Sequence, residues 1–136
     1  MKPCFAFLCV ANSARSQMAE GLARTFFKDQ ADVYSAGSSP ATQVNPLAVE
    51  ALSEIGIDIS GQKPKNLQEI DLSSCKVVIT LCADEICPRV PSGVTHLHWP
   101  LDDPASFNTI EAFRVARDKI QSLLPKLNGE YSIIYQ

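Results

Sequence analysis

Apolar positions recur along this chain with two periods, one suited to strands and one to helices. Cys4-Phe-Ala-Phe-Leu-Cys9 reads as a strand, and Ser16–Phe26 follows it as a helix. In that helix Met18, Leu22 and Phe26 recur at four-residue steps with Ala19, Ala23 and Phe27 beside them, a core-facing stripe. Asp32–Gly37 reads as a second short strand, followed by a loop. Asn45-Pro46 then supplies an N-cap and a proline at the first helical position. Ala48, Ala51, Leu52 and Ile55 form the buried face of this second helix, and Gly56 stops it. Cys75–Cys82 is almost continuously apolar, the mark of a strand covered on both faces. His96–Trp99 is a fourth strand. Asn108-Thr-Ile-Glu111 has the form of a capping box before a long helix carrying Phe113, Ala116, Ile120, Leu123 and Leu127, which Pro125 should kink or end. The closing run Tyr131–Tyr135 fits an edge strand or a docked tail equally well.

Strand alternating with helix four times predicts one α/β domain over residues 1–136, a four-stranded parallel sheet with helices on both faces. In such sheets ligands bind outside the carboxyl ends of the strands. Cys9 and Cys82 both stand at such ends, so one sheet edge collects both thiols.

Composition narrows the class without naming a chemistry. With 46% hydrophobic and 20% charged residues the chain is an ordinary globular one, and its net charge of −3 argues against a nucleic-acid partner. An anionic ligand must be drawn by a local field. No apolar run approaches the ~18–20 residues of a membrane span, so no membrane partner is expected. Met1-Lys-Pro is not followed by a signal-peptide pattern, and five cysteines fit reduced thiols better than a disulfide framework; both point to the cytoplasm.

The candidate chemistry is concentrated at the first strand–helix junction, Cys9-Val10-Ala11-Asn12-Ser13-Ala14-Arg15-Ser16. Unpaired N–H groups at a helix N-terminus, together with the helix dipole, make a cradle for a tetrahedral oxyanion. Arg15 adds a planar fork of donors. The same field favours the thiolate of Cys9, which is the nucleophilic form. Asn12 is suited to a left-handed kink in the loop, and Ser13 and Ser16 can donate hydroxyls to thiolate or anion.

Cys82 and Cys87 are five apart, which suits a redox pair, a metal site or coincidence. In an intact α-helix residues at that spacing have Cα atoms roughly 8–9 Å apart. A disulfide needs about 7 Å or less, so the pair closes only if residues 82–90 form a loop or unwind. His96 and His98 share a strand face and would complete a zinc set with the two cysteines, although the spacing matches no zinc pattern; no metal is expected. After the fourth strand, Asp102-Asp103-Pro104 reads either as a turn or as an acid able to protonate a leaving oxygen.

Cys-x5-Arg-Ser at a first strand–helix junction resembles the anion loop of the low-molecular-weight protein tyrosine phosphatases. The longer string Asn12–Gly21 looks more like their relatives, the arsenate reductases that recycle through protein cysteines. Ala11 and Ala14 depart from that pattern, where many members have Gly and several have Cys. The resemblance implies that Cys9 is the nucleophile, Val10–Ser16 with Arg15 the oxyanion site, and Asp103 the general acid, with Asp102 as fallback. It also implies that Cys82 attacks the substrate-bearing Cys9 and that Cys87 follows, leaving a Cys82–Cys87 disulfide for thioredoxin to reduce. The separation of those two thiols is shorter here than in better-known members. Cys4 and Cys75 match no family site and are expected in core packing. Where some members hold potassium, Asn12, Glu20 and Ser35 match, but Lys65 stands in the Asp position; its ammonium takes the cation's place and no potassium dependence is expected.

The reading is therefore a cytoplasmic arsenate reductase with no bound cofactor, whose electrons come from thioredoxin. A phosphatase for small phosphomonoesters would need Cys9, Arg15 and Asp103 but neither Cys82 nor Cys87. A non-enzymatic thiol sensor or anion-binding module would need no turnover. Ala105 stands where the phosphatases usually carry an aromatic to receive a tyrosine ring, which favours a small inorganic substrate.

Overall fold

The computed structural model describes residues 2–83 and 86–131. Four parallel strands, β1 (Cys4–Cys9), β2 (Asp32–Gly37), β3 (Val77–Thr80) and β4 (Thr95–His98), form a sheet in the order β2-β1-β3-β4. Three α-helices accompany them: α1 (Arg15–Phe27), α2 (Pro46–Ser53) and α3 (Ile110–Tyr131). The chain leaves β1 for β2 on one side, then crosses to β3 on the other. That reversal puts the switch point, where ligands bind in such sheets, between the carboxyl ends of β1 and β3.

Alternation along β1 divides the core in two. Phe5 and Phe7 point into the larger cluster, which α1, α2 and α3 complete with Met18, Leu22, Leu52, Phe113 and Ile120. Each fully buried aromatic of this kind contributes about 1.5–3 kcal/mol, and Phe27 of α1 stacks on Phe5 with ring centroids 5.2 Å apart. Ala6 and Leu8 face the other way, where Ala36 and Val78 meet Leu72 and Cys75. This second face is covered by two single-turn 3₁₀ helices, Leu67–Glu69 and Leu72–Ser74, and by Val90 and Val94.

Several local signals act as the sequence suggests. Asn45 caps α2 by accepting from Leu47 N–H at 2.9 Å, with Pro46 at the first position. Gly56, with φ of 82°, closes α2: Gly56 N–H donates to Ser53 O and Ile57 N–H to Leu52 O, a Schellman pair.

Other expectations need correction. Because α2 ends in that tight turn, Ile55 falls outside its buried face and is exposed. Pro125 does not end α3: it is exposed, as is Gln121, whose carbonyl loses its helical partner, so water can serve it, while Leu124 and Leu127 hold both flanks to the core. Leu124 rather than Leu123 is the buried residue. The cap of α3 is Thr109, whose Oγ1 accepts from Ala112 N–H at 3.3 Å; Asn108 takes a left-handed φ of 53° to turn the chain into it. The run Tyr131–Tyr135 lies outside the described residues apart from the backbone of Tyr131, which ends α3.

The largest correction concerns Cys4 and Cys75, which form a disulfide instead of packing as free thiols. Cys4 opens β1 and Cys75 lies just before β3, its pairing neighbour; Lys76 N–H donates to Cys4 O at 2.9 Å, which brings the two Cα atoms to 4.5 Å. Strand register decides this pairing, and the spacing of 71 residues in sequence does not reveal it.

Candidate active site

The site is built where β1 turns into α1. Asn12 adopts the left-handed conformation at φ 49°, which curls residues 10–14 back over the strand end. Its N–H then donates to Cys9 Sγ at 3.2 Å. Ser16 Oγ lies 2.9 Å from the same sulfur, on the first turn of α1. Cys9 is buried, so these two polar groups are the immediate neighbours of its sulfur. Ala14 occupies the N-cap without a side-chain cap, leaving the first-turn N–H groups of α1 directed at the loop. Among Val10, Ala11, Ser13 and Ala14, only Ala14 is buried; the other three are half-buried around the rim.

Gly37 makes this curl sterically possible. A Cβ there would collide with the Val10 carbonyl oxygen and come within 3.0 Å of Asn12 N, so the end of β2 must be glycine for the anion loop to lie across it. Ser39 N–H, Ala41 N–H and Asn45 N–H then donate to the carbonyls of Val10, Ala11 and Ser13, each at 2.8–2.9 Å, fixing the loop from outside.

Arg15 is buried and its Nη1 donates to Leu101 O at 2.9 Å and Leu81 O at 3.4 Å. It thereby ties the anion loop to the segments that follow β3 and β4. A buried guanidinium and a hydrogen-bonded cysteine on one loop, at an uncapped helix N-terminus and at the sheet switch point, can serve nucleophilic attack on an oxyanion.

Comparison with known proteins gives the family. Residues 5–132 match the low molecular weight phosphotyrosine protein phosphatase family. The chain belongs to that family. The arsenate reductase of Halalkalibacterium halodurans is 46% identical over 121 residues, covering 84% of this chain and 86% of the relative. A solved arsenate reductase in its phosphate-binding state superposes with a TM-score of 0.84 at 33% identity, covering 96% of this chain and 98% of that one. The thioredoxin-dependent arsenate reductase of Corynebacterium glutamicum superposes with a TM-score of 0.75 at 33% identity, over 95% of this chain and 63% of its own.

This member of the phosphatase family supports its loop with a buried polar network. Asn12 Nδ2 donates to Ser16 Oγ at 2.7 Å and to Ser35 Oγ at 3.0 Å, and Ser35 donates to Glu20 Oε1 at 2.6 Å. Asn12 Oδ1 accepts from Lys65 N–H and from Gln17 Nε2. Glu20 is buried, and Lys65 Nζ stands 3.5 Å from its Oε1 while Arg24 Nη2 stands 3.1 Å from its Oε2. The residues around Glu20 do not fit a resident potassium ion, because an ammonium already supplies positive charge on Oε1. Gln17 and Gly37 escaped the sequence reading; Gln17 looks like one more polar residue on a helix until the fold brings Lys63 O and Asn12 to it.

Cys82 and the Asp103 loop lie along the same edge. Leu81 N–H donates to Leu8 O at 2.9 Å, so Cys82 leaves β3 beside the end of β1, and it is fully buried. Cys87 is half-buried, in a stretch whose described residues form no helix, consistent with the loop that its spacing requires. Leu101 N–H donates to Leu81 O at 3.1 Å, which carries the Asp103 loop to the same edge. Asp103 is half-buried and caps a 3₁₀ turn, its Oδ1 accepting from Ala105 N–H at 3.0 Å; Asp102 is exposed. His96 Nε2 and His98 Nδ1 both meet Thr80 Oγ1 at 2.8 Å. Among the described residues no group of three or more His, Cys, Asp or Glu is placed to hold a metal.

Proposed function

We propose that the protein reduces arsenate to arsenite through a three-thiol relay. The observation that carries this reading is the Cys9 sulfur held by Asn12 N–H and Ser16 at the uncapped head of α1, with Arg15 reaching the residue before Cys82. The arsenate reductase relatives support the substrate, and the name of the Corynebacterium relative supports thioredoxin as reductant.

Loop amides and Arg15 bind HAsO₄²⁻, and the Cys9 thiolate attacks arsenic while Asp103 protonates the departing oxygen. The Cys82 thiolate then attacks the Cys9 sulfur. Electrons of the sulfur–arsenic bond pass to arsenic, arsenite leaves, and a Cys9–Cys82 disulfide remains. Cys87 attacks Cys82, returning Cys9 as thiolate and moving the disulfide to 82–87, where a thioredoxin dithiol reduces it. Two electrons come from the thiols, so no bound redox cofactor is required. No described helix is long and apolar enough to cross a membrane; a thioredoxin reductant would support a cytoplasmic setting.

The test couples arsenate turnover to NADPH consumption through thioredoxin and its reductase. Wild-type protein turns over steadily, and Cys87→Ser stops after one equivalent with a Cys9–Cys82 disulfide detected by peptide mass. Steady turnover by Cys87→Ser would refute the relay. Hydrolysis of small phosphomonoesters without arsenate turnover would instead make the protein a phosphatase, and absence of both activities would leave a sensor or binding module.

A further inference from the structure

We propose that Cys4–Cys75 is a second redox couple of this protein, a clamp on the strap from Lys65 to Cys75 that takes no part in the relay. The disulfide lies at the amino end of β1, whereas Cys9 ends that strand. Five residue steps of strand, about 17 Å, separate it from the thiols at the carboxyl edge, too far for exchange with them.

The strap it fastens has two ends with different work. At Lys65 the backbone N–H holds Asn12 Oδ1 at 2.8 Å, the carbonyl accepts from Gly37 N–H at 2.9 Å, and the side chain faces Glu20. At Cys75 the chain is bonded to β1 and buried, 3% exposed. Between them Leu67, Ile70 and Leu72 cover the sheet face of Ala6, Leu8, Ala36 and Val78, with two single-turn 3₁₀ helices in place of an α-helix. The covalent bond fastens this cover to β1 at its Cys75 end. Val90 and Val94, downstream of Cys87, rest on the same cluster. The clamp therefore steadies both the residue that orients the anion loop and the floor beneath the relay segment.

The couple closes by exchange with a low-molecular-weight disulfide. The half-buried Cys4 thiolate attacks it, one small thiol leaves, and Cys75 displaces the second, so that two protein thiols are oxidised and one small disulfide is reduced to two thiols. Bridging residues so far apart in sequence restricts the unfolded chain strongly, so opening the bond lowers Tm by about 12–16 °C.

The experiment incubates fully reduced native protein with glutathione disulfide, quenches with N-ethylmaleimide and maps peptides by mass. A Cys4–Cys75 cross-linked peptide is expected; maleimide or glutathione on both residues overturns the proposal. Hydrogen exchange is then compared between clamped and opened protein, using Cys4→Ser/Cys75→Ser and, should that variant not fold, wild-type protein before and after phosphine reduction. Exchange should rise at least tenfold in residues 66–75 and 88–94 and stay unchanged in α1; equal protection in both states overturns the clamp. Neither readout involves arsenate, so failure here is distinct from failure of the relay.

Discussion

Replacing Lys65 with methionine keeps the stem of the side chain and removes its charge from beside Glu20. Glu20 is 3% exposed, and the ammonium stands 3.5 Å from its Oε1. At that separation and an effective dielectric of 20, a unit pair is worth roughly 5 kcal/mol. Two features reduce the loss: Lys65 is itself 26% exposed, and Arg24 still faces the other carboxylate oxygen. Solvent and that second cation leave a net cost of about 2 kcal/mol. In a chain of this length the cost lowers Tm by about 6–8 °C. The vacated space is bounded by Glu20 Oε1 and the Lys63 carbonyl, both oxygen ligands, so a potassium ion can restore the missing charge. Thermal unfolding and arsenate turnover, each measured in sodium and potassium at fixed ionic strength, check this. The variant should recover stability and rate in potassium, with wild-type protein indifferent. A wild-type rate that rises with potassium, or a variant as stable as wild type, would refute the reasoning.

Ser16→Ala deletes the hydroxyl 2.9 Å from Cys9 Sγ; losing a hydrogen bond of about 0.5–1.5 kcal/mol to the attacking sulfur slows alkylation of Cys9 by about 2- to 10-fold, read by stopped-flow with iodoacetamide. Asp103→Asn lowers kcat for arsenate by about a hundredfold, whereas Asp102→Asn stays near wild type, since only the former carries the proposed proton. Glu54, held mainly by the fork of Arg114 and then by Arg117, has its carboxyl lowered from 4.5 to about 2. Its contribution to stability is therefore complete above the unfolded value and is lost as pH falls through the window toward about 2. Glu54→Gln should remove that portion of the acid dependence in urea unfolding curves, the two proteins converging at the acid end.

What the sequence determined by itself were features whose cause lies within a few residues. Asn12 adopts the left-handed turn because its short amide tolerates it, and Asn45-Pro46 and Gly56 bound α2 by backbone preferences alone. Apolar period separates strands from helices for the same reason, and the anion loop is a contiguous motif. The tertiary structure decided whatever depends on strand register or on which chain segments become neighbours. The β1–β3 pairing joins Cys4 to Cys75, places Cys82 beside the end of β1, and lets Arg15 find the carbonyls of Leu81 and Leu101. Thr80 meets two histidines only because β4 lies alongside β3. Such contacts span tens of residues, and no local torsional preference encodes them; they arise when a whole sheet settles on the register that buries both of its faces.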